Sequence, residues 1–119
     1  MSYAPELFDK DHAKLCLTPI GNILMRKGCM GIKTLDPADL NYNGDYINSD
    51  ASHGWNYHQG PEWLWPVGFF LKSLLIFGGF QTNQEAKLAI MEWLMPHREF
   101  LLSHGNKYEG LPELTNSNG

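Results

Sequence analysis

Cysteine is almost absent: Cys16 and Cys29 are all that 119 residues hold. They stand too far apart for the C-x-x-C spacing of a zinc or redox site. No secretory leader precedes them, so a disulfide framework is excluded and reduced thiols in the cytoplasm are expected. A long hydrophobic run is missing too. The most apolar stretch, Trp63 to Phe80, is interrupted by Pro66, Gly68, Lys72 and Ser73 and falls short of the roughly 20 clean apolar residues of a membrane span. It reads as a buried helix, and no membrane is expected as a partner. Positive charge is equally scarce. Nine Lys and Arg face 13 Asp and Glu, a net charge of -4, with a pI near 5.6. The nine are scattered, so no basic field draws a phosphate backbone and nucleic acid is excluded. His53 and His58 have no carboxylate at ligand spacing on a shared helix face, and His12, His97 and His104 lie elsewhere. No metal and no cofactor are expected.

What is present is ordinary globular material, 43% hydrophobic and of a length for one domain. Asp9 to Lys27 reads as helix on Leu15, Ile20, Ile23 and Leu24. Pro19 either kinks it or divides it, with Thr18 as the cap of a second piece, and Gly28 is a stop. Cys29 to Gln59 has no sustained period and reads as a long irregular loop with a short strand near Gly31 to Leu35. Its Tyr42, Tyr46, Trp55 and Tyr57 argue against disorder, and loops of this length are usually functional or disordered. Pro61 to Phe77 is expected as a helix, apolar almost all round beyond Pro66 and ended by Gly78 and Gly79. Thr82 and Glu85 form a capping-box pattern ahead of Ala86, Ala89, Ile90, Trp93 and Leu94, one buried helical face. Pro96 bends or breaks that helix, and Gly105 ends it. Asn106 to Gly119 is loop. The fold class is all-α, with no sheet of three or more strands. An apolar helix with so few companions implies a piece of a larger helical domain that exposes a large apolar patch when alone.

Two segments concentrate polar and aromatic chemistry. Trp55 to Phe70, WNYHQGPEWLWPVGFF, sets Tyr57, His58, Gln59 and Glu62 among three of the four tryptophans where loop meets helix. Aromatic faces beside amide and imidazole donors suit a sugar, whose C–H face stacks while its hydroxyls take directional bonds. The plain alternative is that Trp63, Leu64 and Trp65 are core and His58 is structural. The second segment is YEGLPELTNSN, Tyr108 to Asn118. Pro112 restricts the backbone ahead of Glu113, with Thr115 and Asn116 near enough to hydrogen-bond it. By residue type alone, Glu113 is a solvated surface carboxylate.

The strings GIKTLDP at Gly31 to Pro37, NYHQGPEWLWPVGFF at Asn56 to Phe70 and GLPELTN at Gly110 to Asn116, with APELF at Ala4 to Phe8, occur in one order. Together the chain resembles the C-terminal glucosidase region of eukaryotic glycogen debranching enzymes. The resemblance covers nearly the whole chain. It is strongest from Gly31 to Gly79 and again from Gly110, and weak through Lys14 to Cys29 and Phe80 to Asn106.

That resemblance implies a partial (α/α)6 toroid, a fragment of a six-hairpin helical barrel, with residues 1–119 forming part of one alpha-1,6-glucosidase catalytic domain and no second domain. It implies hydrolysis, with inversion, of the single alpha-1,6-linked glucose at a trimmed glycogen branch, so glycogen or a branched alpha-glucan is the partner. A 4-alpha-glucanotransferase domain would lie elsewhere in a full enzyme. Carried over by motif, Glu113 is the general base, while His58, Gln59, Gly60, Trp63 and Trp65 line the glucose pocket, Gly60 by permitting close backbone approach. The partner acid in such enzymes is an Asp earlier in the domain and is expected outside this chain. Asp45, Asp50 and Glu62 are declined for that role. Because the chain stops at Asn118 and Gly119, ahead of a last barrel helix, the remainder of the barrel is required and the chain alone is expected to be inactive. The alternative readings are a carbohydrate-binding protein without chemistry and a helical interaction module.

Overall fold

The computed structural model describes residues 1–47, 55–103, 107 and 109–116. Expectations that fall on Asp50, His53, His104, Gly105, Asn118 and Gly119 lie outside the described residues. Helix α1, Lys10–Pro19, opens on Asp9, whose carboxylate accepts the Asp11 and His12 N–H groups at 3.1 and 3.0 Å. These bonds, the one from His12 foremost, favour the charged form and hold Asp9 below its ordinary pKa. Pro19 neither stops the chain nor starts a second α-helix. It has no N–H to give and its ring crowds the preceding turn, and the coil widens into a π-helical turn, Ile20–Leu24. Met25 closes this turn by donating to the Ile20 carbonyl at 2.7 Å. Thr18 is not a cap; its hydroxyl donates back to the Lys14 carbonyl at 2.9 Å.

Helix α2 spans Trp65–Phe77. It begins four residues later than its apolar run suggested, because Glu62–Trp63 is committed to a strand. Pro66 sits in the first turn, where its missing N–H costs nothing. One side of α2, with Val67, Phe70, Leu71 and Phe77, packs with Ala13, Leu17 and Met25 into the core. Each large side chain buried this way contributes about 1.5–3 kcal/mol. The other side stays open: Trp65, Phe69, Leu75 and Ile76 are exposed, the apolar patch expected of this helix. Ser73 is buried but satisfied, its hydroxyl donating to the Phe69 carbonyl at 2.9 Å.

Helix α3, Asn83–Leu102, runs through Pro96 without ending. Thr82 caps it, accepting the Glu85 N–H at 3.1 Å. The return bond differs from a capping box, since Glu85 accepts from the Gln81 N–H at 2.8 Å and not from Thr82. The expected buried face is only half-buried at Ala86, Ala89, Ile90 and Trp93, and Leu94 is exposed. Trp93 meets the Phe70 ring edge-on at 5.7 Å. Among the described residues no helix is long and apolar enough to cross a membrane.

The sheet corrects the all-α expectation. Three two-residue strands, β1 (Ile32–Lys33), β2 (Glu62–Trp63) and β3 (Leu114–Thr115), pair antiparallel in the order β1-β2-β3. The protein is mostly helical with a small antiparallel sheet. Strands this short carry no alternation to read, because a period of two needs four or more residues to show. The short strand expected near Gly31 to Leu35 is β1.

Candidate functional site

The sheet is a platform built on close backbone approach and one buried ion pair. Gly31 lies so near β2 that a Cβ there would stand 2.7 Å from the Glu62 Cβ and 2.9 Å from the Trp63 nitrogen. Two residues further on, Lys33 Nζ and Glu62 Oε1 pair with side chains only 1% and 4% exposed. The β2–β3 register sets Thr115 across from Glu62, and the Thr115 hydroxyl donates to Oε2 at 3.4 Å. Both oxygens of Glu62 are therefore engaged. Cys29 Sγ lies 3.7 Å from Lys33 Nζ. Burial pushes its thiol pKa up, and the neighbouring Glu62 charge adds to that.

Glu113 immediately precedes β3. Its carbonyl accepts the Leu64 N–H at 3.2 Å, which ties its backbone to the start of α2. Its side chain is exposed, and Oε2 accepts the Tyr57 hydroxyl at 2.9 Å. The bond to the carboxylate keeps the phenol protonated and raises the Tyr57 pKa from 10.0. Thr115 and Asn116, expected to hold Glu113, do not. Strand register sends Thr115 to Glu62, and Asn116 Oδ1 accepts the Tyr46 N–H at 2.9 Å.

Around Tyr57 the aromatic side chains form one cluster. The Trp63 indole N–H donates to the Tyr57 carbonyl at 3.0 Å, and its ring meets Tyr57 edge-on at 4.6 Å. His58 stacks on Trp63 at 5.1 Å with 16° between planes. Tyr46 closes the far side, 5.1 Å from Tyr57. Beneath them the 3-10 turn Trp55–His58 is anchored by Asn56, 2% exposed. Its Nδ2 donates to the carbonyls of Asn43 and Asp45 at 3.2 and 2.9 Å. Two faces suited to a sugar result: a half-open aromatic surface and, next to it, a carboxylate.

Of the residues expected in the site, Glu113, His58 and Trp63 are drawn together, all three through Tyr57. Gly60 is close to backbone as expected, but the backbone is the chain's own: a Cβ there would lie 2.2 Å from the Asn43 carbonyl oxygen. Gln59 is exposed and joins through its main chain, its carbonyl accepting the Asn43 N–H at 2.8 Å. Trp65 does not join. It is 64% exposed and its ring meets Phe69 at 5.9 Å, since the start of α2 turns it away from the strand that holds Trp63. Tyr57 was named in the aromatic segment but not as the partner of Glu113, and Lys33 was not named as the partner of Glu62. The signal for Tyr57 was its place beside His58 in an aromatic-rich turn; for Lys33 it was a lone cation in an otherwise apolar pair of strand positions. A cleft of about 250 Å³ lies elsewhere, lined by Leu17, Gly21, Phe70 and Trp93 among others, and contains none of the expected site residues.

A family model described as amylo-alpha-1,6-glucosidase matches residues 1–119. A curated relative, the glycogen debranching enzyme of Saccharomyces cerevisiae, is 36% identical over 137 aligned positions, which cover 100% of this chain and 9% of the yeast protein.

Proposed function

The chain belongs to the amylo-alpha-1,6-glucosidase family, and from that premise we propose that it forms the base-bearing part of an inverting exo-alpha-1,6-glucosidase acting on the glucose stub of trimmed glycogen branches. The observation that carries this reading is Glu113, an exposed carboxylate beside an aromatic surface, held at Oε2 by Tyr57. Oε1 accepts no hydrogen bond from any described residue. A carboxylate held at one oxygen and open at the other is suited to orient and deprotonate a water.

In the proposed step Glu113 takes a proton from water as the water oxygen bonds to the anomeric carbon. The glycosidic C–O bond breaks, and a second carboxylic acid gives its proton to the leaving oxygen. The two carboxyls of such a pair stand about 6.5–9.5 Å apart, which leaves room for the water. Glu62 is unsuited to be that acid, since Lys33 and Thr115 occupy it. His58, exposed and backed by the buried Trp63, offers the stacking surface for the terminal glucose with Gln59 exposed beside it in the chain, while Gly60 serves the platform and Trp65 lies outside the cluster. In a six-hairpin toroid, the open apolar side of α2 would be covered by neighbouring helices. The test is Glu113→Gln in a full-length family member that contains this segment. Release of glucose from a phosphorylase limit dextrin should fall by about 10³-fold or more with glycogen binding kept. Unchanged hydrolysis would instead favour a carbohydrate-binding role without chemistry.

A further inference from the structure

Resting on that reading of Glu113, we infer that Tyr57 is a positioning residue for the base. A glutamate at a loop–strand junction has three side-chain torsions and, exposed as Glu113 is, nothing in its own packing selects one. The Tyr57 hydroxyl supplies the selection from 56 residues away, donating to Oε2 at 2.9 Å. That donor is itself built to stay in place. Its carbonyl is held by the Trp63 indole N–H at 3.0 Å. Its ring is flanked by Trp63 at 4.6 Å, Tyr46 at 5.1 Å and His58 at 5.1 Å. The residue before it, Asn56, is 2% exposed and clamps two loop carbonyls.

The consequence is asymmetric use of one carboxylate. Oε2 is committed to the phenol and Oε1 accepts from no described residue, so Oε1 is the oxygen offered to water, at a place set by the Tyr57 bond and not by rotamer chance. A misplacement of about 1 Å at a reacting group costs on the order of 10²-fold in rate. A hydroxyl that narrows the spread of Glu113 positions therefore acts on turnover more than on affinity.

The experiment is Tyr57→Phe in the full-length enzyme, alone and combined with Glu113→Gln, read as kcat and KM on limit dextrin together with the thermal midpoint. The ring and its packing remain in Tyr57→Phe; only the hydroxyl goes. We expect kcat to fall roughly tenfold with KM and the thermal midpoint unchanged, and no further loss when Tyr57→Phe is added to Glu113→Gln. Three results overturn the assignment: an unchanged kcat in Tyr57→Phe, a fall of kcat accompanied by an equal rise in KM and a lowered midpoint, or a full tenfold loss still seen in the Glu113→Gln background. The base reading fails separately, if Glu113→Gln alone hydrolyses normally.

Discussion

Helix α3 and the three-stranded platform are opposites in how much chain they use and how much they hold. The helix takes 20 residues, Asn83–Leu102, and buries a single one of them, His97. The platform takes three strands of two residues each. Yet it encloses the Lys33–Glu62 pair, fixes Trp63 at 8% exposure and sets Glu113 beside the aromatic cluster. Regularity and structural weight are thus separate properties. A helix satisfies its own backbone and stands with little help, whereas two-residue strands persist only because side chains from distant segments lock them together.

The contrast yields measurable differences. Breaking the platform should cost most. Lys33→Met leaves the Glu62 carboxylate buried without its cation and should destabilise the chain by about 3–5 kcal/mol, with much of the loss recovered in the double variant Lys33→Met/Glu62→Leu. Urea unfolding of these two variants against the parent chain checks this, and the recovery separates loss of a charge partner from loss of packing. Trimming the start of α3 should cost less. Thr82→Ala removes the side-chain acceptor of the Glu85 N–H, a change of about 1 kcal/mol. Hydrogen exchange should quicken at the Glu85 amide, which loses its acceptor, and remain unchanged at Lys33 and Trp63. If the two substitutions cost the same, the division of labour between helix and platform is broken.

The same division explains what could be read in advance. Helix α3 was legible from Thr82 onward and α2 as far as Phe77, because caps, glycine stops and apolar spacing are local signals. The kink at Pro19 was legible as a disturbance, though not as a π-helical turn, since proline announces a missing N–H and not the bonding that replaces it. The sheet was legible only at β1. Glu62 and Trp63 looked like the first turn of an apolar helix, and only their pairing with Ile32, Lys33, Leu114 and Thr115 makes them a strand. The candidate site was legible in part. The motifs around His58, Trp63 and Glu113 carried a family resemblance that the family match supports, but the bond between Tyr57 and Glu113 spans 56 residues, beyond any local pattern. Trp65, two residues from Trp63 in the same motif, shows the converse: a shared motif did not mean a shared surface, because α2 begins between them.

Whether Glu113 faces the water side of the scissile bond as the base is tested most directly by Glu113→Ala in a full-length family member that contains this segment, assayed on limit dextrin with and without sodium azide. Glucose release should be lost, and azide, small enough for the space the carboxylate vacates and needing no base, should restore turnover and yield the β-glucosyl azide, the inverted configuration. Undiminished hydrolysis without azide, or an azide product that keeps the α configuration, would contradict it.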